Sequence, residues 1–260
     1  MQSWKLTLAY DGTAFHGWQI QPHLPTIQGT LAAALHHITG ETVLPQGSGR
    51  TDTGVHALAQ VVSLALTVPI PPANLLRALN RALPASIRVL TAQHVPPDFH
   101  ARHNALRKTY EYRIFPRPTG SEESICSPFV APFAWDCPWP FALDRANHAA
   151  QHILGNHDFT SFAASDPDLS ERTSPQPRSN IRTIFASSWQ RSGDLLHYRI
   201  TGSGFLHHMV RNLVGTFVDI AATRLPLDAI PTILAARDRS AAGPTAPARG
   251  LFLVSVEYPA

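Results

Sequence analysis

The stretch GSGRTDTGVHA, residues 47–57, gathers three glycines, an arginine, an aspartate and a histidine into eleven positions with no apolar periodicity. Asp52, close to Arg50, has two readings. Asp-Thr-Gly is ordinary turn chemistry, in which the carboxylate bonds its own backbone. Alternatively the acid is reactive, on a loop whose glycines let a ligand close on the main chain and whose guanidinium suits a phosphate. The loop carries no second acid for a paired-carboxylate glycosidase site, and it lacks the G-K-[ST] ending of a phosphate loop. What remains is one carboxylate able to attack, or to manage charge at, a sugar or a base.

Other residues are candidates to work with it. Tyr110 and Tyr112 flank Glu111 and so share one side of a strand, where each either packs in the core or offers a flat surface to a stacked base. Arg211 lies on a helix whose apolar residues include Met209, Val210, Leu213 and Phe217, so its cation either leaves at the helix edge or meets an anion. The pairs His100/His103 and His207/His208 lack the acid of an H-E-x-x-H arrangement, and adjacent histidines on a helix point about 100° apart. No catalytic metal is expected from them. Eight basic residues between Arg77 and Arg117 form either a solvated surface or a footprint for phosphates.

These residues must be held by regular elements, and the hydrophobic pattern supplies them. Trp4, Leu6, Leu8 and Tyr10 alternate as a strand. Thr26 opens a helix carrying Ile27, Leu31, Leu35 and Ile38, which Gly40 stops. A short strand is expected at 42–46, a longer one through Val62, Leu64, Leu66 and Val68, a helix from Pro71–Pro72 to Leu83, and a strand at 87–95. That order is βαββαβ. The second half repeats it, with a strand through Tyr110, a helix from about 143 to 154 closed by Gly155, and strands at 181–190 and 194–201. A strongly amphipathic helix follows over 206–220, then a further helix near 228–237 and a final strand at 251–258. The expected fold is α+β: two tandem ferredoxin-like halves, residues 1–105 and 106–260, forming an extended, mostly antiparallel sheet with helices on one face and a central cleft. Stretches 116–141 and 165–180 lack periodicity and read as exposed loops.

The bulk numbers set limits. In 260 residues, 44% hydrophobic and 15% charged, there is material for a large core. The net charge of +3, with 14 histidines besides, permits a polyanionic partner without demanding one. Cys126 and Cys137 fit neither a disulfide framework nor a zinc motif, the N-terminus enters a strand directly, and no apolar run suits a membrane span. A cytoplasmic protein is expected.

GRTDTGVHA resembles the signature loop of the TruA-type tRNA pseudouridine synthases. So do, in the same order, YDGTAFHGWQIQP at 10–22, DFHAR at 98–102, KTYEYRIF at 108–115, HDFTSF at 157–162, GFLHHMVRNLVG at 204–215 and ARGLFLVSVEYP at 248–259. The resemblance implies that Asp52 is the catalytic carboxylate of uridine-to-pseudouridine isomerisation, with Arg50 beside it. It makes Tyr110 the aromatic that meets the target base and places Arg211 in an ion pair with the acid, while Tyr112 is structural. A guanidinium there would oppose the tendency of a desolvated carboxylate to hold its proton. The resemblance further implies a cofactor-free, metal-free reaction on a flipped uridine at positions 38 to 40 of the tRNA anticodon stem-loop, performed by a homodimer. Against that family pattern, 165–180 looks long, and Glu122 and Glu123 add acids to the loop at 119–127.

Overall fold

The computed structural model describes residues 1–117, 125–165 and 179–259. Glu122, Glu123 and most of 165–180, where departures from the family pattern were expected, lie outside the described residues. The chain forms two compact units: Met1–Thr109 joined by the C-terminal strand from Phe252 on, and Tyr110–Leu251. The sequence reading assigned that last strand to the second half.

In the first unit the order is β1 (Gln2–Tyr10), α1 (Ile27–Thr39), β2 (Gln46–Gly47), β3 (His56–Leu66), α2 (Pro72–Ala82) and β4 (Ile87–His94), the expected βαββαβ. β1 lies between β4 and β3, antiparallel to both, with Leu6 opposite Ala92 on one side and Val62 on the other. Trp4, Leu6, Leu8 and Tyr10 form its buried face, while the residues between them are only partly covered. Thr26 caps α1, its hydroxyl accepting from the Gly29 N–H, and Gly40 ends the helix in the left-handed region. That turns Ile27, Leu31 and Leu35 fully inward.

Two strands differ from expectation. β2 shrinks to Gln46–Gly47 instead of 42–46, and β3 begins at His56, inside the stretch read as loop. The reason is pairing on both sides: Ala57 sits opposite Tyr10 of β1, and His56 and Ala57 run parallel to Phe252 and Leu253 of β10 (Leu251–Glu257). A strand buried on both faces does not alternate, and β3 is buried continuously from Gln60 to Leu64.

The second unit takes β5 (Arg107–Pro116) from Tyr110 onward, then β6 (Trp135–Cys137), α3 (Leu143–Gln151), β7 (Gly155–Asp158), β8 (Ile181–Ser192), β9 (Leu195–Gly202), α4 (Met209–Ala221) and α5 (Ala229–Ala236). The sheet order is β5-β9-β8-β7, with β6 parallel to β5. β6 falls in the stretch read as irregular. Gly155 opens β7 rather than closing α3, which ends at Gln151 with His152 as its C-cap. α4 starts at Met209, three residues later than expected, and it is buried on nearly every side instead of along one stripe. The α+β class and the mostly antiparallel pairing are as expected. No helix among the described residues is long and apolar enough to cross a membrane.

Candidate active site

The loop after β2 is clamped from below. Ser48 is fully buried; its N–H donates to the Val61 carbonyl, its hydroxyl donates to Gln60 Oε1, and Lys108 Nζ donates to its carbonyl at 2.5 Å. Gln60 in turn donates to the Gly49 carbonyl. Buried Thr51 shares a 2.8 Å hydrogen bond with the Tyr10 hydroxyl, and its carbonyl accepts from Trp18 N–H. Burial lifts the Tyr10 phenol to about 12, against the opposing bonds from Thr51 and Gln60, so it stays neutral at working pH.

Asp52 is half-buried, as is Arg50. Its carbonyl accepts from Val55 N–H across a turn in which Gly54 takes φ +77°. Asp52 is therefore a turn residue in its backbone, with both neighbours of its peptide fixed. A backbone turn at Asp-Thr-Gly is compatible with either reading of the side chain.

The segment at 10–22 is the cradle of this loop. A side chain at Gly12 would place its Cβ 2.0 Å from the Val55 carbonyl oxygen, and one at Gly17, already at φ +81°, would lie 2.6 Å from that of Thr51. The backbone of 12–17 thus presses directly on 51–55, a contact that only glycine permits. The sequence reading reserved loop glycines for a ligand, but Gly47 is packed against the Trp18 ring. A second acid also reaches the loop: Asp11 Oδ1 is 3.2 Å from Nδ1 of buried His56. Partial burial of Asp11 raises its pKa, but bonds from Thr13 and the nearby His56 outweigh that and hold it below the usual carboxylate range. No spacing in the sequence announces this pair, because it joins the end of β1 to the start of β3. An open groove between 20–25 and α1, about 680 Å³, does not include Arg50 or Asp52.

In the second unit Tyr110 is buried and meets Phe205 edge to face, centroids 5.1 Å apart. Tyr112 is fully buried with its hydroxyl on the Pro247 carbonyl. Burial drives its pKa far upward despite the nearby Arg211 and Arg249 guanidinium groups. Arg211 forms a two-bond clamp with Ala246: its Nε donates to the Ala246 carbonyl at 2.8 Å, and its own carbonyl accepts from Ala246 N–H. Of the two, the Nε bond is the one that anchors the guanidinium. Its partner segment, 243–247, lies against α4, bonded through Thr216 Oγ1 and Asn212 Oδ1. Asn212 also donates to the Phe162 carbonyl, which ties HDFTSF to the same helix.

His207 and His208 precede α4 rather than lying on it. His208 holds φ +57°, and the two rings sit 3.9 Å apart. An αL histidine at the entrance to the arginine helix is a strained position that no pattern in the sequence signals.

The sequence profile of the tRNA pseudouridine synthase family matches residues 7–104 and 149–259. The chain belongs to that family. It is 47% identical to tRNA pseudouridine synthase A of Solibacter usitatus, covering 99% of this chain and 100% of that one. It is 44% identical to the protein of the same name from Moorella thermoacetica, covering 98% of each. A chain in the crystal structure of a Cbf5–Nop10–Gar1 complex matches with 11% identity and TM-score 0.32, over 82% of this chain and 54% of that chain. The matched ranges include the loop with Arg50 and Asp52 and the helix with Arg211, whereas Tyr110 falls between them.

Proposed function

We propose that this member of the tRNA pseudouridine synthase family isomerises uridine to pseudouridine in the tRNA anticodon stem-loop, at one or more of positions 38, 39 and 40. Asp52 is the catalytic carboxylate. The reaction breaks the N1–C1′ bond, turns the uracil, joins C5 to C1′ and releases the C5 hydrogen as a proton, while N1 takes up a proton from solvent. A carboxylate is suited to the nucleophilic or charge-managing step. Tyr110 meets the base, Arg211 supplies the positive charge opposite the acid, and Arg50 assists extrusion of the nucleotide from its stack, which costs a few kcal/mol. No cofactor or metal is assigned to the chemistry, and the working form is a cytoplasmic homodimer.

The observation that carries this reading is the GRTD loop itself, intact within the matched family range and held by Tyr10, Trp18 and Gln60. A loop that only bound RNA would gain nothing from a carboxylate facing a polyanion. The decisive assay uses tRNA tritiated at uridine C5, with EDTA present. Wild-type protein should release tritium, while Asp52→Asn should bind the tRNA and release none. Binding without release by the wild type would instead make the chain a non-catalytic RNA binder.

A further inference from the structure

The second unit carries a cluster that the isomerase reading does not use. His148 lies in the last turn of α3, and His152, four residues on, is its C-cap. Residues four apart face the same side of a helix. Asp228 comes from the residue before α5 and reaches the same point: its Oδ1 is 2.8 Å from His148 Nε2 and 3.8 Å from His152 Nε2. The two Nε2 atoms are 3.2 Å apart.

Hydrogen bonding alone satisfies this arrangement poorly. A neutral His148 has at most one proton at Nε2, and it faces both a carboxylate oxygen and a second imidazole nitrogen. If that proton goes to Asp228, the two nitrogens have no well-aligned bond between them. If His152 donates instead, His148 presents a lone pair to the carboxylate. A single cation within bonding distance of all three atoms would instead take one lone pair from each. Tetrahedral zinc with bonds of about 2.0–2.1 Å sets its ligand atoms about 3.3 Å apart; the separations here, 2.8, 3.2 and 3.8 Å, bracket that value. A point about 2 Å from all three atoms exists, set by those same separations. Asp228 is moreover not spent on capping: it stands at the N-cap of α5 but makes no side-chain cap bond, and Pro231 at the third helical position has no N–H to offer. The site opens to solvent, with Asp228 74% and His148 46% exposed, so water can complete the coordination.

We propose that His148, His152 and Asp228 form a binding site for a divalent transition-metal ion of the zinc class, which staples the end of α3 to the start of α5. It goes beyond the isomerase reading: tRNA isomerisation in EDTA and zinc binding here succeed or fail independently.

The test uses tag-free, metal-stripped full-length protein titrated with zinc against a chromophoric chelator, with zinc-edge X-ray absorption on the complex. One zinc should bind per chain at micromolar levels, with two imidazole nitrogens and one carboxylate oxygen in its shell. His148→Gln/His152→Gln should weaken that binding by about a hundredfold or more and Asp228→Asn by about tenfold, since each removes first-coordination donors. Zinc should raise the Tm of the wild type by several degrees and that of the double variant by none. Asp228 is exposed, so Asp228→Asn keeps the fold and serves as the check if the double variant is unstable. Zinc affinity unchanged in either variant would overturn the proposal, as would a wild type that binds no zinc or a shell lacking the carboxylate.

Discussion

Asp52 and Arg211, which the proposed reading places in the chemistry, are both anchored by their surroundings. Asp52 is anchored through its backbone, by the Thr51 bonds on one side and the Val55 turn on the other. Arg211 is fixed through its side chain, by the Nε bond to Ala246. Arg211→Lys keeps a charge but loses that bond, and Arg211→Ala loses both. If the cation serves the acid, initial tritium-release rates should fall far more in the alanine variant than in the lysine one, and equal losses would sink that role. Glu111, between the two tyrosines, makes a different test. Burial raises its pKa, but the hydrogen bond and charge of Arg113, with His197 3.3 Å away, pull it below the usual value. A carboxyl depressed in the folded state stabilises fully above its unfolded pKa, near 4.5, and that stabilisation is lost as pH falls through the folded value. Thermal melts from pH 6 downward should therefore show Glu111→Gln converging on the wild type at acid pH; a constant gap would refute it.

At the level of elements, the segments that resemble the family are partners in packing. Residues 10–22 press on the Asp52 loop. DFHAR is pinned to β3 through Ala101 N–H on Ser63 Oγ and to the C-terminal segment through the Tyr258 hydroxyl on the Ala101 carbonyl. HDFTSF and 243–247 both meet α4 at Asn212. The tightest such contact is at Gly215, where an added Cβ would sit 1.7 Å from the Pro244 carbonyl oxygen. Gly215→Ala should cost about 1–3 kcal/mol, the range for overpacking a well-filled interior. It should lower tritium release as well, because the displaced segment is the one that anchors Arg211. Urea denaturation reads the first effect; a variant as stable as wild type would show that 243–247 can shift at no cost.

For the molecule as a whole, the substrate is a polyanion and the chain's charge is only +3, so binding must come from local groupings of basic residues. Some of those in the middle of the chain are already engaged: Arg113 with Glu111, Arg88 with the Pro84 and Ile87 carbonyls, Arg77 with Asn74. Arg81 lies exposed at the end of α2. Affinity for tRNA should fall steeply and log-linearly with salt, since each neutralised phosphate releases counterion. Asp52→Asn should share the wild-type slope, because the acid contacts no phosphate in the proposed reading. Filter binding from 50 to 300 mM salt measures both slopes, and a flat response would exclude a phosphate-dominated interface.

The sequence alone determined the elements with a clean period. β1 alternates because one of its faces is buried, and α1 announces both ends through Thr26 and Gly40. It also delivered the loop with Asp52, since three glycines and a charged pair in eleven residues have no explanation in packing periodicity. Tertiary structure decided everything that depends on burial from two sides or on partners far apart in the chain. β3 starts early because β1 and β10 both pair with it, and α4 lost its amphipathic stripe because 243–247 covers its polar side. Asp11 found His56, and Asp228 found His148 and His152, across separations no local spacing encodes. Periodicity reports which face of one element is covered; only the folded chain reports by what.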